Sequence, residues 1–183
     1  AAEADVVIEN YRPDVKFRLK VDYETVKAFN PSIVYASISG FGQSGPYRDR
    51  PGLDQIAQGM GGHMSVTGAP GEGPMRSGAA ISDMTAGLLA ANGIALAMLE
   101  REHTGKGQWI HTSLLEAQIF LLDFQAARWT VEQEVPPQAG NDHPTNVPMG
   151  VFSTSDGYIN LAPMGYMWAK LCGLLGLDDL IDH

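Results

Sequence analysis

The sequence has one cysteine and few basic residues, and each shortage argues against a class of protein. Cys172 is the only thiol in 183 residues, which excludes an internal disulfide framework and favours a reducing compartment, so we expect a cytoplasmic protein. Twelve Lys and Arg stand against 21 Asp and Glu, for a formal net charge of −9. This balance argues against broad binding to nucleic acid or an anionic membrane. The five histidines lack the short spacings of a zinc site, so no metal is expected.

Charge is also scarce in the run Gly78–Leu99, where Asp83 is the only charged residue. The run is long enough to span a bilayer, but Thr85, Asn92 and several glycines would be costly in lipid. We therefore predict a buried helix of a globular protein rather than a membrane span.

Asp83 at the head of that run has two interpretations. Either Ser82 or Asp83 is expected to be the N-cap of the helix, where a side-chain oxygen accepts backbone N–H bonds. The same amides could instead keep the Asp83 carboxylate ionised in a dry site beside Gly78, Ala79 and Met84, where it acts as a nucleophile. Both interpretations remain open at this point.

Alternating strand and helix patterns predict an α/β fold. The apolar run 5–9, the amphipathic run 22–30 and the apolar run 32–39 form a βαβ unit, which implies a parallel sheet. Further along, we predict a strand over 105–114 and a long helix over 113–129, followed by a Pro-rich linker over 131–148. After the linker we predict a hairpin over 150–162, which turns around Asp156-Gly157, and a last helix over 166–176 that buries Cys172.

Two features follow the predicted strands and point to a ligand. Gly40, Gly42 and Gly45 match Gly-x-Gly-x-x-Gly, but no helix pattern opens directly after them, so a dinucleotide fingerprint is not favoured. Basic side chains follow both strands and could converge on an anion, or could be solvated surface charge. They are Arg12, Lys16, Arg18 and Lys20 after the first strand, and Arg48 and Arg50 after the second.

Four long stretches resemble one known family. "ADVVIENYRP", "NPSIVYASISGFGQSGPYRDRPGLDQIAQG", "TGAPGEGPMRSGAAISDMTAG" and "REHTGKGQWIHTSLLEA" are similar to the family III CoA transferases, in the family's order. The resemblance implies an incomplete Rossmann-like large domain over 1–135, a linker over 136–149 and the beginning of a small α+β domain over 150–183. It also implies a fragment of a protein about twice as long that forms an interlocked homodimer.

The resemblance also assigns roles to residues. Asp83 matches the catalytic aspartate, and Asp54, Gly40 and Gly42 are expected to support the substrate. Residues expected to contact coenzyme A are Asn10, Tyr11, Arg12, Arg18, Leu19 and Leu114. CoA and acyl-CoA would be substrates rather than tightly bound cofactors, with a carboxylic acid as the acceptor.

The expected reaction is transfer of CoA between two acids through an aspartyl acyl anhydride and an aspartyl-CoA thioester. A 2-methylacyl-CoA racemase or epimerase is the alternative, but racemases of this family carry a histidine where this chain has Leu53. Proton exchange on two faces of an α-carbon needs two titratable groups. A third possibility is a fragment that binds CoA without catalysis.

Overall fold

A computed structural model describes residues 2–182. Ala1 and His183, the outermost residues of the predicted domains, lie outside the described residues. The chain divides into two compact units: the first runs to Thr67 and resumes over Pro74–Pro136, and the second comprises Gly68–Gly73 and the residues from Pro137 onward. The predicted domain boundaries at 135 and 150 remain a prediction.

The first unit is built on a parallel sheet of three strands in the order β1-β2-β3. They are β1 (Val6–Glu9), β2 (Val34–Ser39) and β3 (Trp109–Ser113). The register pairs Val6 with Val34 and Tyr35 with Trp109. β2 is the central strand and is buried along almost its whole length, as its apolar sequence requires. The predicted α/β class and the parallel βαβ unit are therefore confirmed.

Seven helices accompany this sheet: α1 (Pro13–Leu19), α2 (Tyr23–Lys27), α3 (Asp54–Met60), α4 (His63–Val66), α5 (Ile81–Thr104), α6 (Leu114–Phe120) and α7 (Phe124–Glu132). The sequence analysis missed α1. Its signals were Pro13 at the first helical position and Asp14 in the first turn.

The charge-poor run forms α5, but the prediction that this helix is buried was wrong. Its alanine face packs against β2, β3, α3 and α6, and Ala86, Ala90 and Ala97 are buried. The opposite face, including Leu88 at 70% exposure, is open. By length and composition alone α5 could cross a membrane, which is weak evidence for a helix that packs on a sheet.

The prediction of one long helix over 113–129 was also wrong, because the segment forms two helices. α6 ends at Phe120 and α7 begins at Phe124. Between them Asp123 adopts a φ of 47° and a ψ of −125°, a conformation that no residue inside an α-helix adopts.

The second unit contains the predicted hairpin and the last helix. β4 (Gly150–Ser153) and β5 (Tyr158–Leu161) are antiparallel, and the Thr154 amide donates to the Gly157 carbonyl oxygen at 2.8 Å. α8 (Tyr166–Leu175) follows, then a short 3₁₀ helix, Asp178–Leu180. Cys172 is buried in α8 as predicted, and burial is the main cause that raises the pKa of its thiol.

Candidate active site

A groove of about 410 Å³ opens in the first unit where the sheet ends. It lies among the turn after β1, the end of β2, the loop 40–53 and the first residues of α5 and α6, as expected at the carboxyl ends of parallel strands. Its volume falls in the range of small-molecule sites. The lining residues are Asn10, Tyr11, Arg12, Pro13, Ile38, Ser39, Gly40, Arg50, Pro51, Gly52, Leu53, Asp83 and Leu114.

Six of the ten residues singled out from the sequence line this groove: Asn10, Tyr11, Arg12, Gly40, Asp83 and Leu114. The other four are Arg18, Leu19, Gly42 and Asp54. Arg18 and Leu19 are exposed on α1. Gly42 donates its amide proton to Ser39, which lines the groove, and Asp54 directly follows Leu53 of the lining. The ligand contacts assigned to all ten remain predictions.

The predicted basic cluster separates into different environments. Arg12 and Arg50 line the groove, so two cations from different strand ends do converge there. Arg12 also pairs with Asp14 at 3.5 Å, and Arg48, outside the groove, pairs with Asp49 at 3.3 Å. Lys16 is 1% exposed and turns inward, which corrects the interpretation of Lys16 as a surface or ligand-binding cation. Since Arg18 follows Lys16 by two residues, it faces the opposite side of α1.

Buried Lys16 forms an ion pair with Glu9. Its Nζ lies 3.0 Å from Glu9 Oε1, and it also donates to Ser37 Oγ at 3.1 Å and to the side-chain oxygen of Gln43. The Trp109 ring covers the ammonium, with its centroid 5.0 Å from Nζ. These contacts satisfy all three protons of the ammonium.

The loop 40–53 is closed at its base by two glycines. A Cβ on Gly40 would lie 2.5 Å from Gly52 Cα, so the two backbones are too close for a side chain. No helix begins in this loop before Asp54, which agrees with the argument against a dinucleotide fingerprint. Gly52 was not singled out from the sequence, and nothing in the sequence showed that it would meet Gly40.

Asp83 lies in the first turn of α5 and is exposed to the groove. The prediction that Ser82 or Asp83 caps the helix was wrong: Ala80 occupies the N-cap position and has no side-chain bond. Partial burial, and secondarily the negative charge of Asp54, raise the pKa of the Asp83 carboxyl. Since Asp83 is exposed, the expectation that it lies in a dry site is wrong for this chain.

The cap of α5 comes from another helix. Asp54 Oδ1 accepts the Ser82 amide proton at 2.8 Å, and Asp54 Oδ2 accepts a bond from Gln58 Nε2 at 2.6 Å. Gln58 is fully buried, and its side-chain oxygen accepts the Ser77 amide proton at 2.8 Å. The start of α3 therefore fixes the segment that carries Asp83. Gln58 carried no sequence signal beyond its place in a helical pattern.

The comparisons with known proteins agree with this geometry. The model of CoA-transferase family III matches residues 1–183. The chain is 39% identical to succinate–glutarate CoA-transferase of Agrobacterium fabrum, over 98% of this chain and 45% of the relative. It is 36% identical to human succinyl-CoA:glutarate CoA-transferase, over 100% of this chain and 42% of that relative.

A solved structure is similar to this chain in both fold and sequence. The crystal structure of a CAIB/BAIF family protein from Brucella suis matches with a TM-score of 0.85 and 40% identity, over 100% of this chain and 48% of that protein. This chain belongs to CoA-transferase family III. It spans about half the length of the curated relatives it matches.

Proposed function

We propose that this chain is the CoA-binding half of an enzyme that moves CoA between two carboxylic acids, with Asp83 as the nucleophile. One observation carries the proposal: Asp83 shares a single groove with Arg12, Arg50 and the Asn10–Arg12 turn. Cations bind the phosphates of a CoA ester, while a carboxylate can receive its acyl group. The names of the family III relatives support the same reaction class.

The chemistry needs a nucleophile whose acyl adduct is as reactive as a thioester. The Asp83 carboxylate attacks the thioester carbonyl, the C–S bond breaks, and a mixed anhydride and CoA thiolate form. The thiolate then attacks the Asp83 carbonyl, which releases the first acid as its carboxylate and leaves an aspartyl-CoA thioester. The acceptor carboxylate repeats these steps in reverse and restores the free aspartate.

The raised pKa of Asp83 has a consequence for this mechanism. Only the ionised carboxylate attacks, so activity should rise with pH as Asp83 loses its proton. A more basic carboxylate is also the better nucleophile. Because Asp83 is exposed here, we propose that bound acyl-CoA and the rest of the full-length homodimer cover it and exclude water.

We further propose dicarboxylic acids as substrates and the cytoplasm as the compartment. The relatives from Agrobacterium and human are named for succinate and glutarate. Leu53, which is 70% exposed and lines the groove, offers no titratable group opposite Asp83. This argues against racemisation.

Oxygen-18 in the acceptor acid tests the covalent role of Asp83. In the proposed steps the bridging oxygen of the second anhydride comes from the acceptor and stays on the aspartate. After turnover by the full-length protein, the peptide that contains Asp83 should therefore carry ¹⁸O. Asp49→Asn is the matched control, because Asp49 lies outside the groove.

Three outcomes separate the alternatives. Label on Asp83 together with product acyl-CoA supports the transferase. Deuterium entering Cα of an acyl-CoA from heavy water without any acceptor acid supports a racemase. CoA binding without turnover by the full-length protein supports a purely binding role, and undiminished transfer by Asp83→Ala would refute the assignment.

A further inference from the structure

Lys16 is almost fully buried next to the groove, yet it does not line the groove. A buried ammonium is costly, and replacement of a buried ion pair by apolar side chains is often neutral or stabilising. Stability alone therefore does not explain Lys16. Its hydrogen-bond acceptors lie on different segments of the first unit.

The first acceptor connects Lys16 to the turn after β1. Glu9 holds Lys16 Nζ through Oε1 at 3.0 Å. Through Oε2 it accepts the backbone N–H of Tyr11 at 2.8 Å. One carboxylate thus joins Lys16 to the backbone of the Asn10–Arg12 wall.

The second and third acceptors connect Lys16 to β2 and to the loop that follows it. Ser37 Oγ accepts from Nζ at 3.1 Å, and the Gln43 side-chain oxygen accepts from it as well. Gln43 Nε2 in turn donates to Ser39 Oγ at 3.2 Å, and that hydroxyl also accepts the Gly42 amide proton at 3.1 Å. Ser39 lines the groove, so this path ends at the part of the lining that β2 contributes.

We infer that Lys16 is a positioning residue that ties the Asn10–Arg12 turn to the loop after β2 and thereby sets the spacing of the two walls between which CoA binds. Lys16 touches no substrate and acts only through Glu9 and Gln43. The part of this inference that concerns CoA rests on the proposed function. The link between the walls stands on hydrogen bonds alone.

The test separates positioning from stability with paired variants. Lys16→Met removes the ammonium but leaves Glu9 as a buried, unpaired charge, so this variant should lose stability. The double variant Glu9→Gln/Lys16→Met removes both charges and should recover most of the stability. Lys106→Met, at an exposed position, removes the same charge and is the control.

Two measurements are made on the full-length protein. In the double variant, amide hydrogen exchange at Gly42 should speed up at least about tenfold, while that at Val34, whose N–H donates to Asp5 within the sheet, should not change. The Kd for coenzyme A should rise at least about tenfold although stability is recovered. Lys106→Met should change neither.

The outcomes distinguish the two proposals. If exchange and CoA affinity of the double variant both return to the wild-type values, Lys16 is merely a stabilising residue and the inference is wrong. Wild-type protein that does not bind CoA would refute the proposed function. In that case the Gly42 exchange rate would still decide whether Lys16 holds the loop.

Discussion

Glu9 and Asp54 are two carboxylates next to one groove. Both accept a backbone N–H of a segment that lines the groove, but their electrostatic surroundings differ. Each accepts a backbone N–H at 2.8 Å, Glu9 from Tyr11 and Asp54 from Ser82. Glu9 has Lys16 at 3.0 Å. Asp54 is bonded to the neutral amide of Gln58, and no cation of the described residues forms an ion pair with it.

The comparison shows that a carboxylate can fix a backbone segment by accepting its N–H whether or not a cation neutralises the carboxylate. At the Asn10–Arg12 turn Lys16 neutralises the charge of Glu9, while Arg12, which pairs with Asp14, and Arg50 line the groove. At α5 the charge of Asp54 is retained and acts on Asp83, whose pKa it helps to raise. The groove thus has two cations, Arg12 and Arg50, in its lining, and it also contains Asp83, whose negative charge is disfavoured by burial and by Asp54.

The largest expected difference is in the free energy of unfolding that is lost when Glu9 or Asp54 is removed. Glu9→Ala leaves the Lys16 ammonium buried without a counter-charge and should cost about 3–5 kcal/mol of unfolding free energy. Asp54→Ala removes a cap and should cost about 1 kcal/mol. Urea unfolding measures both. Equal costs would mean that the buried ion pair does not set Glu9 apart.

The two groove cations, Arg12 and Arg50, should give the next largest effect, which is a loss of CoA affinity. Arg12→Gln and Arg50→Gln should each weaken CoA binding about tenfold, because each removes a charge-assisted hydrogen bond to phosphate. The weakening should shrink as salt is added. Arg48→Gln is the control, since Arg48 pairs with Asp49 outside the groove. Titration calorimetry measures the three affinities, and an equal loss in Arg48→Gln would contradict a localised anion site.

The retained charge of Asp54 should appear in the pH dependence. Asp54→Asn keeps an oxygen that can accept the Ser82 amide proton but removes the negative charge. The pKa of Asp83 should therefore fall, though burial, the larger cause, continues to raise it. Carbon-13 NMR of the carboxyl should detect the fall, and the acid limb of the activity profile should move to lower pH with it. No movement in either would show that Asp54 acts only as a cap.

The smallest effect concerns stability. Since the folded state raises the pKa of Asp83, it binds this proton more tightly than the unfolded chain does. The unfolding free energy therefore falls as pH rises from the unfolded pKa through the folded one. Asp83→Asn should raise stability at neutral pH by about 0.5 kcal/mol at most, the size usual for exposed positions. Thermal unfolding at neutral and acid pH should show the gain only at neutral pH.

Sequence patterns predicted the first two strands well because β1 and β2 are short, largely apolar runs with polar boundaries. The same patterns failed where one residue determines the backbone. Asp123 breaks the long helix through a positive φ of 47°, which hydrophobic periodicity does not reveal. The burial of α5 was overestimated because an apolar sequence does not say how many of its faces find a partner.

The site could be predicted only where its chemistry is local. The Asn10–Arg12 turn and Asp83 occur in recognisable stretches, and the structure brings both to one groove. The cap that Asp54 gives to Ser82 joins residues 28 positions apart, so no local pattern contains it. The sequence did not distinguish Lys16 from its basic neighbours, because the burial of a side chain on α1 depends on which face of that helix packs against the sheet.

The contact between Gly40 and Gly52 has a consequence for how this family can diversify. The base of the loop is closed by backbone contact between Gly40 and Gly52, while Gln43 joins it to Lys16 and Arg50 lines the groove. Residues 44–49 contribute to none of these contacts, and loops of this kind tolerate variation in length and sequence. Grafting 44–49 from a relative with different acids is thus a rational way to alter substrate choice, provided that Gly40, Gly52, Gln43 and Arg50 are kept.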